Sequence, residues 1–124
     1  MRIFQSRWFN RFARKEGIAA KALLDAVDRA EAGQIDAALG SEVIKQRIAR
    51  PGAGKSAGYR TIILFRRGSQ AFFIYGFAKS DQANVSQGEV QGFKDAARYV
   101  LSMTEKQLAL LLERGEFLEM RNDE

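Results

Sequence analysis

The chain contains no cysteine and no histidine among its 124 residues. Without cysteine there is no disulfide framework and no thiol chemistry. Because histidine is absent too, a zinc site and a histidine-based catalytic triad are poor interpretations of this sequence. These two absences argue against most familiar hydrolase mechanisms, and they leave lysine, arginine, tyrosine and the carboxylates as candidate catalytic groups.

Long apolar runs are also missing. No stretch approaches the roughly 18 to 20 apolar residues of a membrane span, and the first residues, MRIFQSRWFNRFARKEG, lack the continuous apolar core of a signal peptide. We therefore expect a cytoplasmic protein that has no membrane partner. The length, with 46% apolar and 28% charged residues, predicts one globular domain over residues 1–124.

Acidic residues are absent from a long internal segment. Residues 43–80 contain no Asp or Glu, although the whole chain carries a net charge of +5. The eight cations of this segment are Lys45, Arg47, Arg50, Lys55, Arg60, Arg66, Arg67 and Lys79. Such a segment attracts polyanions, of which nucleic acid is the usual one. The alternative is a solvated basic face without a partner, although protein surfaces ordinarily mix both signs of charge.

The first half of the chain reads as a strand, two helices and a basic strand. MRIF is a short candidate strand. A first amphipathic helix follows and ends near Gly17, and a second helix over 20–32 ends near Gly33. In SEVIKQRIARP, alternation places Lys45 and Arg47 on one side of a strand that Pro51 closes.

The second half begins with the strongest local pattern. In YRTIILFRRGSQAFFIYGFA, two apolar runs flank Gly68-Ser69, which predicts a hairpin of two central strands covered by helices. Ser86 with Glu89, and Thr104 with Gln107, match the capping box that opens a helix, so we expect C-terminal helices over about 86–118. The predicted fold class is α+β, with a small antiparallel-rich sheet, an N-terminal helical hairpin and C-terminal helices.

The segment RPGAGKSAG raises the question of a nucleotide phosphate loop. That motif needs a glycine five positions before Gly54 and a helix after the serine, because backbone N–H groups and the helix dipole hold the phosphates. Here Ala49 occupies the first position, and the strand-like AGYRTIILF follows. We therefore interpret GAGKS as a mobile basic loop between two strands that faces RNA.

In this order and spacing, VIKQRIARPG, GYRTIILFR and AFFIYGFAKSDQAN resemble the RelE/HigB toxins of type II toxin–antitoxin systems, within the RelE/ParE superfamily. The resemblance covers roughly residues 1–100. It implies a compact α+β fold and cleavage of messenger RNA in or near the ribosomal decoding site without a metal or other cofactor. It also implies inhibition by a cognate antitoxin, a small helix-turn-helix or disordered-tail protein.

The resemblance assigns candidate catalytic residues one at a time. Lys45 and Arg47 match the basic pair on the strand before the loop, Arg60 matches the arginine of GYR, and Lys79 lies in the basic turn after the last predicted strand. The chain departs from the pattern at two positions: Ser80 stands where many members carry arginine, and Ser86 where they carry tyrosine.

The residues themselves allow metal-free RNA cleavage. Attack by a ribose 2′-OH on its own phosphate needs a proton acceptor, cations for the developing charge and a proton donor. Crowding by cations lowers the pKa of a lysine, so Lys45 or Lys79 can exchange protons near neutral pH. Asp81 is the only nearby carboxylate in the sequence that can act as the base. The candidate RNA-binding residues are Arg50, Lys55, Tyr59 and Arg66, and Tyr75 is a further stacking candidate; for both tyrosines, packing in the core is the alternative.

Two other functions fit the same features. A toxin of the ParE branch has the same fold but binds DNA gyrase and is not a nuclease. A noncatalytic module that binds RNA or an antitoxin is the other alternative. The acid-free segment coincides with the strands that would line a nuclease groove, so charge favours RNA over gyrase.

Overall fold

The computed structural model describes residues 1–50 and 54–120, without the side chains of residues 54–57. The elements in chain order are β1 (Arg2–Ser6), α1 (Arg7–Glu16), α2 (Ala20–Glu31), β2 (Ala37–Gly40), β3 (Val43–Arg50), β4 (Gly54–Arg66), β5 (Gln70–Ala78), α3 (Gln87–Val100), α4 (Glu105–Glu113) and β6 (Phe117–Met120). This architecture confirms the α+β prediction.

The strands form one six-stranded sheet in the order β2-β3-β4-β5-β1-β6. Neighbouring strands are antiparallel except β1 and β5, which run parallel with Phe4 opposite Phe72. The predicted hairpin is present, since residues 59–66 of β4 pair with β5 and the chain turns between Arg66 and Gln70. Its two strands lie at the centre of the sheet, as their continuous apolar sequences indicated.

Helices cover both faces of the sheet. On one face α1 and α2 pack over Ile44, Ile63 and Phe73. On the other face α3 and α4 pack over Ile62, Leu64 and Phe72. Successive residues of β4 therefore enter opposite cores, which is the alternation that a strand imposes on its side chains.

The helix boundaries follow local sequence. Ser6 caps α1 by accepting the N–H of Phe9, and Gly17 ends the helix with φ 70°. The capping boxes predicted at Ser86 and Thr104 are both formed, so these two predictions are confirmed. Each box satisfies backbone N–H groups that have no partner within the first turn of the helix.

Two short strands were not predicted. β2 contains only four residues, and β6 was included in the C-terminal helical segment. The prediction of helices to about residue 118 is wrong, because α4 ends at Glu113 and Phe117–Met120 pairs with β1. Four-residue strands give little periodicity, and it is pairing with a distant strand that selects them.

The interpretation of GAGKS as a loop is also wrong for the part that the structure describes. Strand β4 begins at Gly54, which lies opposite Arg50, so Gly54–Ser56 belongs to the sheet. The remaining residues of the segment, 51–53, and the predicted closure of β3 by Pro51 lie outside the described residues, as does the side chain of Lys55. A strand rather than a helix follows the serine, which is incompatible with a nucleotide phosphate loop.

Candidate functional site

Four of the five predicted catalytic residues lie together on one face of the sheet. Lys45 and Arg47 alternate along β3, and Arg60 on β4 is opposite Arg47 in register. Lys79 directly follows β5. These four cations, here called the basic groove, line a cavity of about 330 Å³ together with Asp36, Ala37 and Ala83.

Gly58 allows the strands that carry these cations to lie close together. A Cβ at this position would lie 2.2 Å from the carbonyl oxygen of Ile48, a distance that no side chain tolerates. The carbonyl of Gly58 also accepts the backbone N–H of Lys79 at 3.1 Å. Only glycine fits at this position of the GYR motif, because β3, β4 and the end of β5 meet there.

The cations of the groove differ in burial. Arg60 is 8% exposed, whereas Arg47 and Lys79 are exposed. Lys45 is half-buried, and its Nζ donates to Oδ1 of Asn84 at 3.0 Å. Burial lowers the pKa of Lys45, and repulsion from Arg60 and Arg47 lowers this pKa further. The predicted lowering of a lysine pKa is therefore confirmed for Lys45.

A carboxylate that the sequence did not indicate fixes Arg47. Asp36 Oδ2 accepts the backbone N–H of Arg47 at 2.7 Å. The same oxygen accepts Arg29 Nη1 at 3.2 Å, and Arg29 Nη2 donates to the carbonyl of Arg47 at 2.6 Å. Strand β2 pairs with β3 only as far as Ala37, opposite Lys45. Beyond that point, the side chains of Arg29 and Asp36 bind both backbone groups of Arg47 in place of a strand.

Asp36 is itself held in place and stays ionised. Buried Gln46 accepts the backbone N–H of Asp36 at 2.7 Å and donates to the carbonyls of Ala26 and Gln34. Burial alone would raise the pKa of Asp36, but the hydrogen bonds from Arg47 and Arg29 and the positive charges outweigh it, so the pKa is lowered. A carboxylate with a lowered pKa is a weak base, and its hydrogen bonds hold Arg29 and the backbone of Arg47 in place.

Asp81, the carboxylate that the sequence suggested, lies elsewhere. It is exposed in the turn after β5, where its N–H donates to the carbonyl of Ala78, and it does not line the groove. Asp36, and not Asp81, is therefore the carboxylate that lines the groove. Proximity along the chain to Lys79 was misleading, because Lys79 and Ala83 line the groove while Asp81, between them in the turn, does not.

Three predicted RNA-binding residues are not brought into the groove. Tyr59 is 3% exposed on the opposite face of the sheet, where its hydroxyl donates to Glu16 Oε1 at 3.1 Å. The guanidinium of Arg50 lies 5.2 Å from the centre of the Tyr59 ring. Arg66 lies at the far end of β4, where it binds both carboxylate oxygens of Glu42. Tyr59 packs in the core, which was the alternative interpretation.

The two departures from the family pattern have structural consequences. Ser86 is the N-cap of α3, and its Oγ accepts the N–H of Glu89 at 3.1 Å. Ser80 is exposed in the turn that follows Lys79. Ser86 therefore begins a helix, and neither serine lines the basic groove.

Two findings concern the described part of the chain as a whole. Within residues 1–50 and 54–120, no group of three or more His, Cys, Asp or Glu side chains is placed to hold a metal ion. None of the helices found there is both long enough and apolar enough to cross a membrane.

A mostly antiparallel sheet with an N-terminal helical hairpin, and a groove lined by cations of β3, β4 and the turn after β5, define a small α+β protein with a basic groove. The family model described as the RelE toxin of the RelE/RelB toxin–antitoxin system matches residues 1–120, and the chain belongs to this family. It is a toxin of a toxin–antitoxin system, and its partner is a cognate antitoxin. No curated protein and no solved structure matches the chain.

Proposed function

We propose that this toxin is a metal-independent endoribonuclease that cleaves messenger RNA on the ribosome and so blocks translation in the cytoplasm. The observation that carries the proposal is the basic groove, where Lys45, Arg47, Arg60 and Lys79 line one cavity and the pKa of Lys45 is lowered. The family, whose members are generally known to cleave messenger RNA, supports the same reaction.

The groove supplies each group that the reaction needs. Lys45, in its neutral form, accepts the proton of the ribose 2′-OH as the 2′-oxygen bonds to the neighbouring phosphorus. Arg47 and Arg60 donate to the phosphate oxygens, where negative charge accumulates in the transition state. The bond from phosphorus to the 5′-oxygen breaks, and the ammonium of Lys79 protonates that leaving oxygen. The products are a 2′,3′-cyclic phosphate and a 5′-hydroxyl.

The assignment of Lys45 as the proton acceptor depends on its surroundings. An ordinary lysine is almost fully protonated at neutral pH and cannot act as a base. Burial and the two neighbouring guanidinium groups favour the neutral amine, while the Asn84 side chain holds the nitrogen in place. Asp36 is the weaker candidate, because its carboxylate is already engaged by Arg29 and Arg47.

The decisive experiment is primer extension on cellular transcripts after brief induction of the toxin. The wild type is expected to stop growth and to produce new 5′ ends within translated messages. Lys45→Met and Arg47→Ala are each expected to lower cleavage about 100-fold or more, as removal of a preorganised catalytic group usually does. Lys106→Ala, which removes an exposed lysine from α4, is the matched control and should retain activity.

Arg60 needs a different substitution because it is buried. Arg60→Lys keeps a cation but loses the two-pronged guanidinium, so cleavage should fall while circular dichroism and antitoxin binding stay unchanged. Growth inhibition with intact transcripts and with gyrase-dependent DNA damage would refute the nuclease proposal and favour the ParE-like activity. Growth that is unaffected in the absence of antitoxin would refute both activities.

A further inference from the structure

One side of α1 presents aromatic and basic side chains to solvent. Trp8, Arg11, Phe12 and Lys15 recur at the spacing of a single helical face and line an open cleft of about 250 Å³. Trp8 is 47% exposed, which is unusual for the largest apolar side chain. These four residues are called the α1 cleft below. The third aromatic residue of α1, Phe9, is fully buried in the core.

The rings of the cleft form an ordered stack. Trp8 lies 5.6 Å from Phe12 at an interplanar angle of 8°, and 4.9 Å from Tyr75 at 22°. A Cβ on Gly76 would lie 2.6 Å from Cε2 of Phe12, so the missing side chain leaves the space in which Phe12 packs against β5. The exposed indole is therefore held in place by its neighbours.

The cations of the cleft have no acidic partner in the part of the chain that the structure describes. Among the described residues, Arg11 and Lys15 form no ion pair, and no acidic side chain lines the cleft. Glu16, the next residue along the helix, is occupied on the other side by Tyr59 and Arg50. Two unneutralised cations beside exposed rings form a surface that is complementary to a polyanion carrying flat groups.

A chain of side-chain contacts connects the cleft to the basic groove. Tyr75, which stacks on Trp8, donates its hydroxyl to Gln82 Oε1 at 3.2 Å. Gln82 Nε2 donates to the carbonyl of Asn84 at 2.9 Å, and Asn84 accepts Lys45 Nζ at 3.0 Å. Segment 82–84 thus lies between Tyr75, which stacks on Trp8 of the cleft, and Lys45 of the groove. This segment is the route along which an extended polyanion would pass from one site to the other.

We propose that the α1 cleft is a binding subsite for single-stranded RNA, in which one base stacks against the exposed rings while Arg11 and Lys15 contact phosphates. This inference rests on the proposed function, because it extends the path of the same RNA beyond the groove. The lining consists of two rings and two cations without any aliphatic side chain. That composition suits a base and its phosphates better than the apolar anchor of a protein partner.

The experiment uses the only tryptophan of the chain as its probe. A single-stranded RNA oligonucleotide with 2′-O-methyl groups cannot be cleaved, so binding is measured apart from catalysis. Titration of the wild type is expected to quench tryptophan fluorescence in parallel with the anisotropy of the labelled RNA. Trp8→Ala is expected to weaken RNA binding about 5- to 150-fold, the range for one stacked base, while Trp8→Phe keeps most of the affinity.

Charge-removing variants test the phosphate contacts. Arg11→Ala and Lys15→Ala should each lower the logarithmic salt dependence of RNA binding by about one unit. Lys21→Ala, which removes an exposed lysine from α2, is the matched control and should change it by much less. Thermal unfolding of each variant checks that the fold is retained.

Two outcomes would overturn the inference. RNA that binds with unchanged Trp8 fluorescence, or does not bind at all, would show that no base stacks in the cleft. Quenching by purified antitoxin but not by RNA would identify the cleft as a protein interface. Both results are independent of the Lys45→Met cleavage assay, so the subsite can fail while the proposed nuclease function stands, and the reverse is also true.

Discussion

The carboxylate of Asp36 accepts the backbone N–H of Arg47, so a groove cation is positioned through its main chain by a residue just before β2. Arg29 of α2 completes the arrangement by binding the carbonyl of Arg47. The outer edge of β3 would otherwise present unpaired backbone groups to solvent at this point. Helix α2 and the β2 segment thus set the position of a residue that neither element contains.

Asp36→Ala should therefore impair activity by releasing Arg47 from its fixed position. Loss of the hydrogen bond to Arg47 and of the ion pair with Arg29 should cost about 1–3 kcal/mol in the free energy of unfolding. Cleavage should fall while RNA affinity changes little, because Arg47 keeps its charge but loses its fixed position. Urea denaturation and primer extension measure the two effects. Asp28→Ala, an exposed acid of α2, is the control, and an equal loss of activity there would contradict the positioning role.

The stability contributed by Asp36 should depend on pH. Because the folded protein holds the pKa of Asp36 below the ordinary value of 3.8, the unfolded chain takes up a proton first as pH falls. The contribution is fully present above about pH 5 and is lost as pH falls below about 4 towards the folded pKa. The difference in unfolding free energy between wild type and Asp36→Asn should shrink over that window. A difference that stays constant from pH 7 to pH 3 would contradict the assignment.

Replacement of Lys45 should separate stability from function. Burial, with Arg60 and Arg47 close by, makes the charged form costly, so Lys45→Met should raise the melting temperature by a few degrees at most while abolishing cleavage. Below the lowered pKa of Lys45, the folded wild type bears the free-energy cost of burying a charged amine. This cost falls as pH rises through that pKa towards 10.5. The advantage of the variant should therefore shrink at alkaline pH, which thermal unfolding at pH 7 to pH 10 can measure.

Two glycine-to-alanine substitutions form a matched pair. At Gly76 the new Cβ would lie 2.6 Å from Phe12, so the variant should lose about 1–3 kcal/mol and should shift the fluorescence of Trp8. At Gly92, inside α3, nothing lies within 4 Å of the new Cβ, and alanine should stabilise the helix by about 0.5–1 kcal/mol. Chemical denaturation of both variants gives the comparison. Equal effects would mean that the packing of Phe12 against Gly76 is not tight.

Local sequence was informative wherever a residue's role depends on its immediate neighbours. Ser86 and Thr104 begin helices through side-chain bonds within one turn, and Lys45 with Arg47 share a strand face through simple alternation. For this reason the helix starts, the central hairpin and the shared face of Lys45 and Arg47 followed from local sequence, whereas Arg60 and Lys79 were assigned through the family resemblance. The register that places Arg60 opposite Arg47 follows from the same hairpin-like pairing of β3 with β4.

Contacts between distant segments could not be predicted from local sequence patterns. Asp36 lies in an unpatterned segment, and only the folded chain shows that it meets Arg47 and Arg29. Asp81 is near Lys79 in sequence, but its side chain is exposed and does not line the groove. Tyr59 alternates with Arg60, and alternation places it in the opposite core, a consequence that was available from the strand pattern itself.

The position of β1 has a consequence for the time course of folding. This first strand pairs with residues 70–73 on one side and with residues 117–120 on the other. Apolar Ile3 and Phe4 are therefore synthesised well before the residues with which they pair. Pairing of such distant segments slows folding and prolongs the exposure of apolar surface. The delay between synthesis and closure of the sheet is an interval in which an antitoxin can meet the toxin before its core is complete.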